Sequence, residues 1–286
     1  MRFGRAMIKN RQQRIRRLGR CIHCLAVILV VWLCGCDRRP DGRAGRDAEL
    51  VLYCGAGIRP PVAEVIEAFE AKHDIRIVTD YAGSEVLLSK IKLVRSGDLY
   101  LPGEKYYVDQ AHEAGLIAAS RPVFYWAPVI LVAKGNPKGI VDLSDLLREG
   151  TRVGLGDPQA CAIGRTTKHL LEKNGIAWAD LTRNLKFQSQ TVNELGMQIQ
   201  AGSLDAVIVW DSIARYYRDH GDMITIPEEK NIVSSADIGI LAFSRRQVAA
   251  QTFVDFLASP VGTAILNRHH YSTGRTGNHS EPFQKP

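Results

Sequence analysis

The sequence predicts an α/β protein folded as two lobes, on three observations. Extended apolar runs alternate with helical patterns along the chain from residue 48 onward. The junctions from strand to helix are built from small and capping residues. Two long apolar runs, near 127 and 238, bracket a middle segment. A chain that leaves one lobe, builds a second and returns would show this pattern. The first lobe is therefore expected at 48–125 plus 236–286 and the second at 126–235, with two crossing strands acting as a hinge.

The elements follow in order. LVLYC (50–54) reads as a strand, and Val62, Val65, Ile66 and Phe69 recur at helical spacing after it. Pro60 and Pro61 suit the first turn of that helix, where an N–H has no intrahelical partner. IRIVTDYA (75–82) is the next strand. Ser84 reads as the N-cap of a helix carrying Leu87, Leu88, Ile91 and Val94. LYLPG is a short strand, and YYVDQAHEAG a helix stopped by Gly115. VFYWAPVILVA (123–133) is the first crossing strand. TRVGLG (151–156) opens the second α/β set, with a helix from Thr166 to Asn174 and a strand at LKFQ. Thr191 and Glu194 form the T-x-x-E pattern of a capping box. DAVIVW (205–210) is a strand, Ser212 to Arg218 a helix, and IGILAF (238–243) the second crossing strand. Helices from Arg246 to Leu257 and after Ser259-Pro260 close the chain.

The N-terminus has the anatomy of an export signal. Its first 36 residues hold eight arginines and lysines and no acid, followed by the apolar stretch Cys21–Gly35. That stretch is short for a membrane span, which needs about 20 residues. It ends in Leu33-Cys34-Gly35-Cys36, which resembles a bacterial lipobox with Cys36 as the lipidated residue. Residues 37–47, rich in Arg, Pro, Gly and Asp, read as a flexible tether. Without the leader the chain carries 29 basic residues against 30 acidic, so the net +7 is no sign of a nucleic-acid face. Only Cys54 and Cys161 then remain in an oxidising compartment. A disulfide between different lobes would oppose hinge closure, so both are expected as free thiols.

Candidate chemistry sits at five strand-to-helix junctions: Gly55-Ala56-Gly57, Gly83-Ser84, Gly156-Asp157-Pro158 through Gly164, Gln190-Thr191 and Trp210-Asp211-Ser212. Ligands of α/β sheets sit beyond the carboxyl ends of strands. Each junction offers a helix start with unpaired N–H groups and a partial positive charge, and several together can bind an anion without a lysine. Competing motifs fail. Position 60 is proline where a dinucleotide fingerprint needs its third glycine, and there is no P-loop lysine or nucleophile elbow. The paired tyrosines 106–107 and 216–217 leave open a ferric site but read better as packing, and His269-His270 reads as a surface pair.

These stretches resemble the molybdate-binding proteins of ABC transporters, which are type II periplasmic binding proteins. YCGAGIRPPVAEVIEAFEAKH, DYAGSEVLLSKI, GDLYLPGEKYYVDQAHEAGLI, VGLGDPQACAIGRTTKHLLEKNGI and SPVGTAILNRHHYS carry the likeness, over roughly residues 49–275. The resemblance implies a lipid-anchored, monomeric receptor for a tetrahedral oxyanion, foremost molybdate or tungstate. An ABC permease would be its partner, and it would use no cofactor and catalyse no reaction. Residue by residue it implies Gly57 (where relatives place a serine) with Ile58, Ser84 as the second serine, Ile163 and Val192 as backbone donors, and Trp210 in place of a tyrosine. Arg59, Asp157, Arg165 and Asp211 are further candidates around the site. Sulfate, phosphate, ferric ion or a small organic acid remain alternative ligands in the same fold.

Overall fold

The computed structural model describes residues 49–274. The leader, the tether and the lipobox Cys36 lie outside the described residues.

Strand β1 (Glu49–Gly55) is exposed at Glu49, half-buried at Val51, and buried at Leu50 and from Leu52 onward. It pairs in parallel with β2 (Arg76–Ala82) and β3 (Leu99–Leu101). Helix α1 (Arg59–Glu70) begins with its two prolines in the first turn and buries Val62, Val65, Ile66 and Phe69, the four positions the spacing predicts. Helix α2 (Ser84–Val94) buries Leu87, Leu88 and Ile91. Val94 is exposed instead, because the helix ends there and Arg95 turns left-handed at φ 44°. Helix α3 (Lys105–Glu113) follows β3.

The predicted single strand at 123–133 is two strands. β4 (Ile117–Trp126) belongs to the first sheet and β5 (Pro128–Ala133) to a second, and the chain crosses between them at Ala127. In the second sheet follow β6 (Val153–Gly156), α4 (Ala162–Lys173), the short α5 (Trp178–Thr182), β7 (Leu185–Ser189), α6 (Val192–Gln200), β8 (Ala206–Trp210), α7 (Asp211–Tyr216) and β9 (Gly221–Thr225). The chain returns through residues 226–233 into β10 (Ser234–Leu241), so the second crossing precedes the run at 238 and that run lies within the first sheet. Helices α8 (Gln247–Leu257) and α9 (Pro260–Arg268) close the first lobe.

The two sheets have the orders β2-β1-β3-β10-β4 and β7-β6-β8-β5-β9. In each, the strand entered from a crossing (β10 or β5) runs antiparallel to its neighbours, the others pairing in parallel. The strands facing helices on both sides are continuous apolar runs, as β8 (AVIVW) shows by being buried throughout. Side chains tie the two crossings. Asp211 Oδ1 accepts from the Ala127 N–H at 3.3 Å, and the Asn231 amide donates to the Pro128 carbonyl at 2.9 Å.

Candidate functional site

In both sheets the parallel strands end at helix starts, and these starts meet in one cavity. From the first lobe come Gly55, Ala56, Gly57 and Ile58 after β1, Ala82, Gly83 and Ser84 after β2, then Gly103 and Trp126. From the second come Cys161, Ala162 and Ile163 at the start of α4, Thr191 and Val192 at the start of α6, and Trp210 at the end of β8. Gly57, Ile58, Ser84, Ile163, Val192 and Trp210 are thus brought together. The cavity offers about 20 Å³ to the centre of a water-sized sphere. With that sphere's radius of about 1.4 Å added, this is room for one compact ion of roughly 3 Å radius.

No lining side chain is charged. The attraction the cavity offers is that of backbone dipoles. The first N–H groups of a helix have no intrahelical partner. At the starts beginning at Ala56, Ser84, Ala162 and Val192, no side chain caps them. Two cap expectations therefore fail. Ser84 is inside its helix, with Gly83 at the cap, and its Oγ instead accepts from the Gly103 N–H at 3.0 Å. A hydroxyl that accepts there keeps its proton for another acceptor. Thr191 is at the cap position, but Glu194 reaches Ser189 rather than the backbone: Ser189 Oγ donates to Glu194 Oε2 at 2.5 Å and accepts from the Thr191 N–H at 3.0 Å. Helix α4 also starts four residues before the predicted Thr166, because its first turn is the small-residue stretch at the cavity.

The carbonyl oxygens, which would repel an anion, are held away by donors from behind. Tyr100 Oη donates to the Ser84 carbonyl at 2.7 Å and Tyr271 Oη to that of Gly57 at 2.7 Å. Trp126 Nε1 donates to the Gly103 carbonyl at 3.1 Å, and the Asn193 amide to that of Ala56 at 3.1 Å. The last bond joins the lobes. Tyr100, Trp126, Asn193 and Tyr271 were missed by sequence reasoning. Each lies 16 to 214 positions from its nearest bonded partner in this set, and no local pattern marks them.

The lobes touch closely. A Cβ on Gly57 would sit 2.6 Å from Val192 Cγ1, so the space a serine would need there is filled by a valine methyl from the other lobe. A Cβ on Gly83 would meet the Ala160 carbonyl oxygen at 2.5 Å and that of Gln190 at 2.8 Å. Trp126 and Trp210, one from each sheet, stack at 4.5 Å with 5° between their planes.

Arg59, Asp157, Arg165 and Asp211 do not line the cavity. Arg59 is exposed and lies over the Tyr81 ring at 4.6 Å. The Asp157 carboxylate accepts from the Gln159 N–H at 2.8 Å, turning the loop before α4. Asp211 is spent on the crossing at Ala127 and on the Ser212 N–H at 2.8 Å. Arg165 pairs with Glu104 at 3.0 Å. Short acids satisfy nearby backbone, and long cations find partners across the surface. Cys54 and Cys161 are both free and buried, and only Cys161 reaches the cavity. Burial pushes the Cys161 thiol up to about 12, against the opposing pull of the Gly164 and Ile163 N–H groups. Burial also raises Cys54, with Arg59 opposing. Neither is a thiolate at neutral pH. Among the described residues, no cluster of His, Cys, Asp and Glu has the geometry to hold a metal ion.

The profile of the bacterial extracellular solute-binding proteins matches residues 50–272. The chain belongs to that family. This solute-binding protein is 30% identical over 219 residues to a putative binding protein of Haemophilus influenzae, covering 75% of this chain and 87% of that one. It is 23% identical over 265 residues to the molybdate-binding protein ModA of Mycobacterium tuberculosis, covering 90% and 99%. Its fold is that of the sulfate-binding protein SubI of the same organism, at a TM-score of 0.72, 18% identity, and coverage of 82% and 89%. The family is one of binding proteins, and the solute-binding protein is accordingly not an enzyme.

Proposed function

We propose that the protein is the extracytoplasmic receptor of an ABC importer and captures a fully deprotonated tetrahedral oxyanion, foremost molybdate or tungstate. Its permease partner would recognise the closed form, and a lipid on Cys36 would hold a monomer at the membrane surface. One observation supports the ligand class above others: four helix starts converge on a cavity whose neighbouring carbonyls are tied back and whose lining carries no charge. Such a site presents donors on every side. Gly57, Ile58, Ile163 and Val192 would give N–H groups, Ser84 its hydroxyl, and Trp210 its indole N–H. The size fits one compact ion. No carboxylate lines the cavity to accept a proton from hydrogen phosphate, so protonated oxyanions would leave a donor unpaired, a costly fault in a buried site.

A second ligand in the same fold is favoured by one observation, the Val192 methyl that stands 2.6 Å from where a Cβ at position 57 would be and so denies the site a second serine. Fewer hydroxyl donors and a narrower cavity would suit sulfate. Calorimetric titration with molybdate, tungstate, sulfate, phosphate and ferric citrate decides. The expected result is tight binding of molybdate and tungstate, with phosphate and ferric citrate silent. Sulfate binding alone would install the second reading, and silence toward all oxyanions would end both.

A further inference from the structure

Arg165 stands on α4 of the second lobe, yet the groups it touches stand on the first. Its Nη1 donates to Glu104 Oε1 at 3.0 Å, and its guanidinium lies 3.5 Å from the centre of the Tyr106 ring. Glu104 is buried, at 9% exposure, and Arg165 is half-buried beside a cavity of about 630 Å³ lined from both lobes, by Tyr106 and Tyr107 on one side and Asp157 and Lys168 on the other. Contacts of this kind exist only while the lobes are together. A buried ion pair contributes little net attraction, because both charges lose water. Its removal is asymmetric: taking away one partner strands a buried charge, while taking away both is nearly neutral. The guanidinium face on Tyr106 adds a contact that persists without the carboxylate.

We propose that Glu104, Arg165 and Tyr106 form a clasp across the interlobe seam that makes the closed arrangement accessible in the absence of ligand, by supplying the cation a buried Glu104 needs, so that Arg165 is a positioning residue for binding and not a ligand contact. The clasp deepens the receptor reading and rests on it only for its purpose. Glu104 would tolerate closure because a cation arrives with it. Any other approach of the lobes would bury the carboxylate alone.

The stacked pair Trp126 and Trp210 supplies a reporter that needs no ligand. Two indoles at 4.5 Å with 5° between their planes couple their transitions and contribute a far-ultraviolet circular dichroism band that changes when the stack is disturbed. The full-length protein, free of ligand, is compared with Arg165→Met, Glu104→Gln and the double variant, with small-angle scattering as a second measure of opening. The band is expected in the wild type and in Glu104→Gln. In Arg165→Met the closed-to-open ratio falls at least tenfold, and the double variant recovers most of it. Thermal melts verify that each variant folds. Should Arg165→Met fail to fold, Tyr106→Leu removes the ring without stranding a charge and is expected to weaken the band partially. An undiminished band in Arg165→Met, or in Tyr106→Leu where it stands in, overturns the clasp. So does a double variant no better than Arg165→Met, or a ligand-free wild type whose scattering is that of separated lobes. Molybdate titration of the wild type is read separately. A silent titration with the expected pattern of bands defeats the oxyanion reading and leaves the clasp standing.

Discussion

Gly83 is a position where one added carbon separates closure from folding. Its backbone, at φ −63° and ψ 149°, is one that any residue adopts, so alanine there strains nothing locally. The obstacle is the other lobe. The added Cβ would stand 2.5 Å from the Ala160 carbonyl oxygen, whereas ordinary contact begins near 3.4 Å, so the lobes must part by about 0.9 Å at that point. The obstructing atoms are backbone and cannot swing aside. Overpacking of this kind costs about 1–3 kcal/mol, and at about 1.4 kcal/mol per tenfold affinity should fall roughly 5- to 150-fold. The stability of the free protein should fall by no more than its preference for the closed arrangement, because no contact within the first lobe is disturbed. Calorimetric titration with molybdate and thermal unfolding of the ligand-free protein measure the two quantities on one preparation. Affinity within twofold of wild type would refute the reasoning, since closure would then not bring Gly83 against Ala160. A large loss of free-protein stability would refute it too, by placing the effect in folding.

Other outcomes are expected. Ser84→Ala removes the lining hydroxyl that also accepts from Gly103, and a hydrogen bond to a charged group is worth about 1.5–3 kcal/mol, so molybdate affinity should drop roughly 10- to 150-fold by calorimetry. Burial raises the Glu104 carboxyl above its ordinary 4.5, against the pull of Arg165. A raised carboxyl binds its proton more readily in the closed fold than in solvent, so acid favours that fold. The gain begins as pH falls through the raised value and is complete below about 4.5. Glu64 has the opposite sign: its bonds to His269 and Arg268 lower its pKa, so its contribution is present above the ordinary value and fades as pH falls through the lowered one. Glu104→Gln should therefore gain most over wild type above the raised value, and the gap should shrink as pH falls toward 4.5, read as melting temperatures; a gap that grows on acidification would contradict the sign. Cys161, with its thiol near 12, should resist iodoacetamide at pH 7.5 in the native protein and react once unfolded, as followed by mass spectrometry.

Much of this molecule was legible before its structure. Apolar spacing located α1 and its four buried positions, the two prolines marked its first turn, and the run near 127 signalled a chain that leaves one sheet, whereas the run near 238, expected to cross, lies within the first sheet. The six cavity residues carried over by resemblance do meet. What failed has a common physical origin. Ser84 and Thr191 were read as caps because that is the local preference of their side chains. The helix starts here carry no side-chain cap, and the Ser84 hydroxyl serves Gly103 instead. The four charged candidates lay near the junctions in sequence, but a charged side chain's end is set by tertiary partners. Asp211 went to the crossing and Arg165 to the opposite lobe. Tyr271 reaches Gly57 across 214 positions, a relation no window of sequence contains.

The uncharged cavity has a consequence for life outside the cytoplasm, where salinity and acidity follow the surroundings. Dissolved ions screen an attraction between separated charges within about 8–10 Å at physiological strength, but they do not enter a contact between an anion and an N–H a bond length away. Nothing lining the wall takes up or gives off a proton in the ordinary range, Cys161 included. Under the proposed oxyanion reading, selectivity would be set by the geometry of peptide groups and would change little with salt, and with acidity only through the protonation of the ligand and the ease of closure.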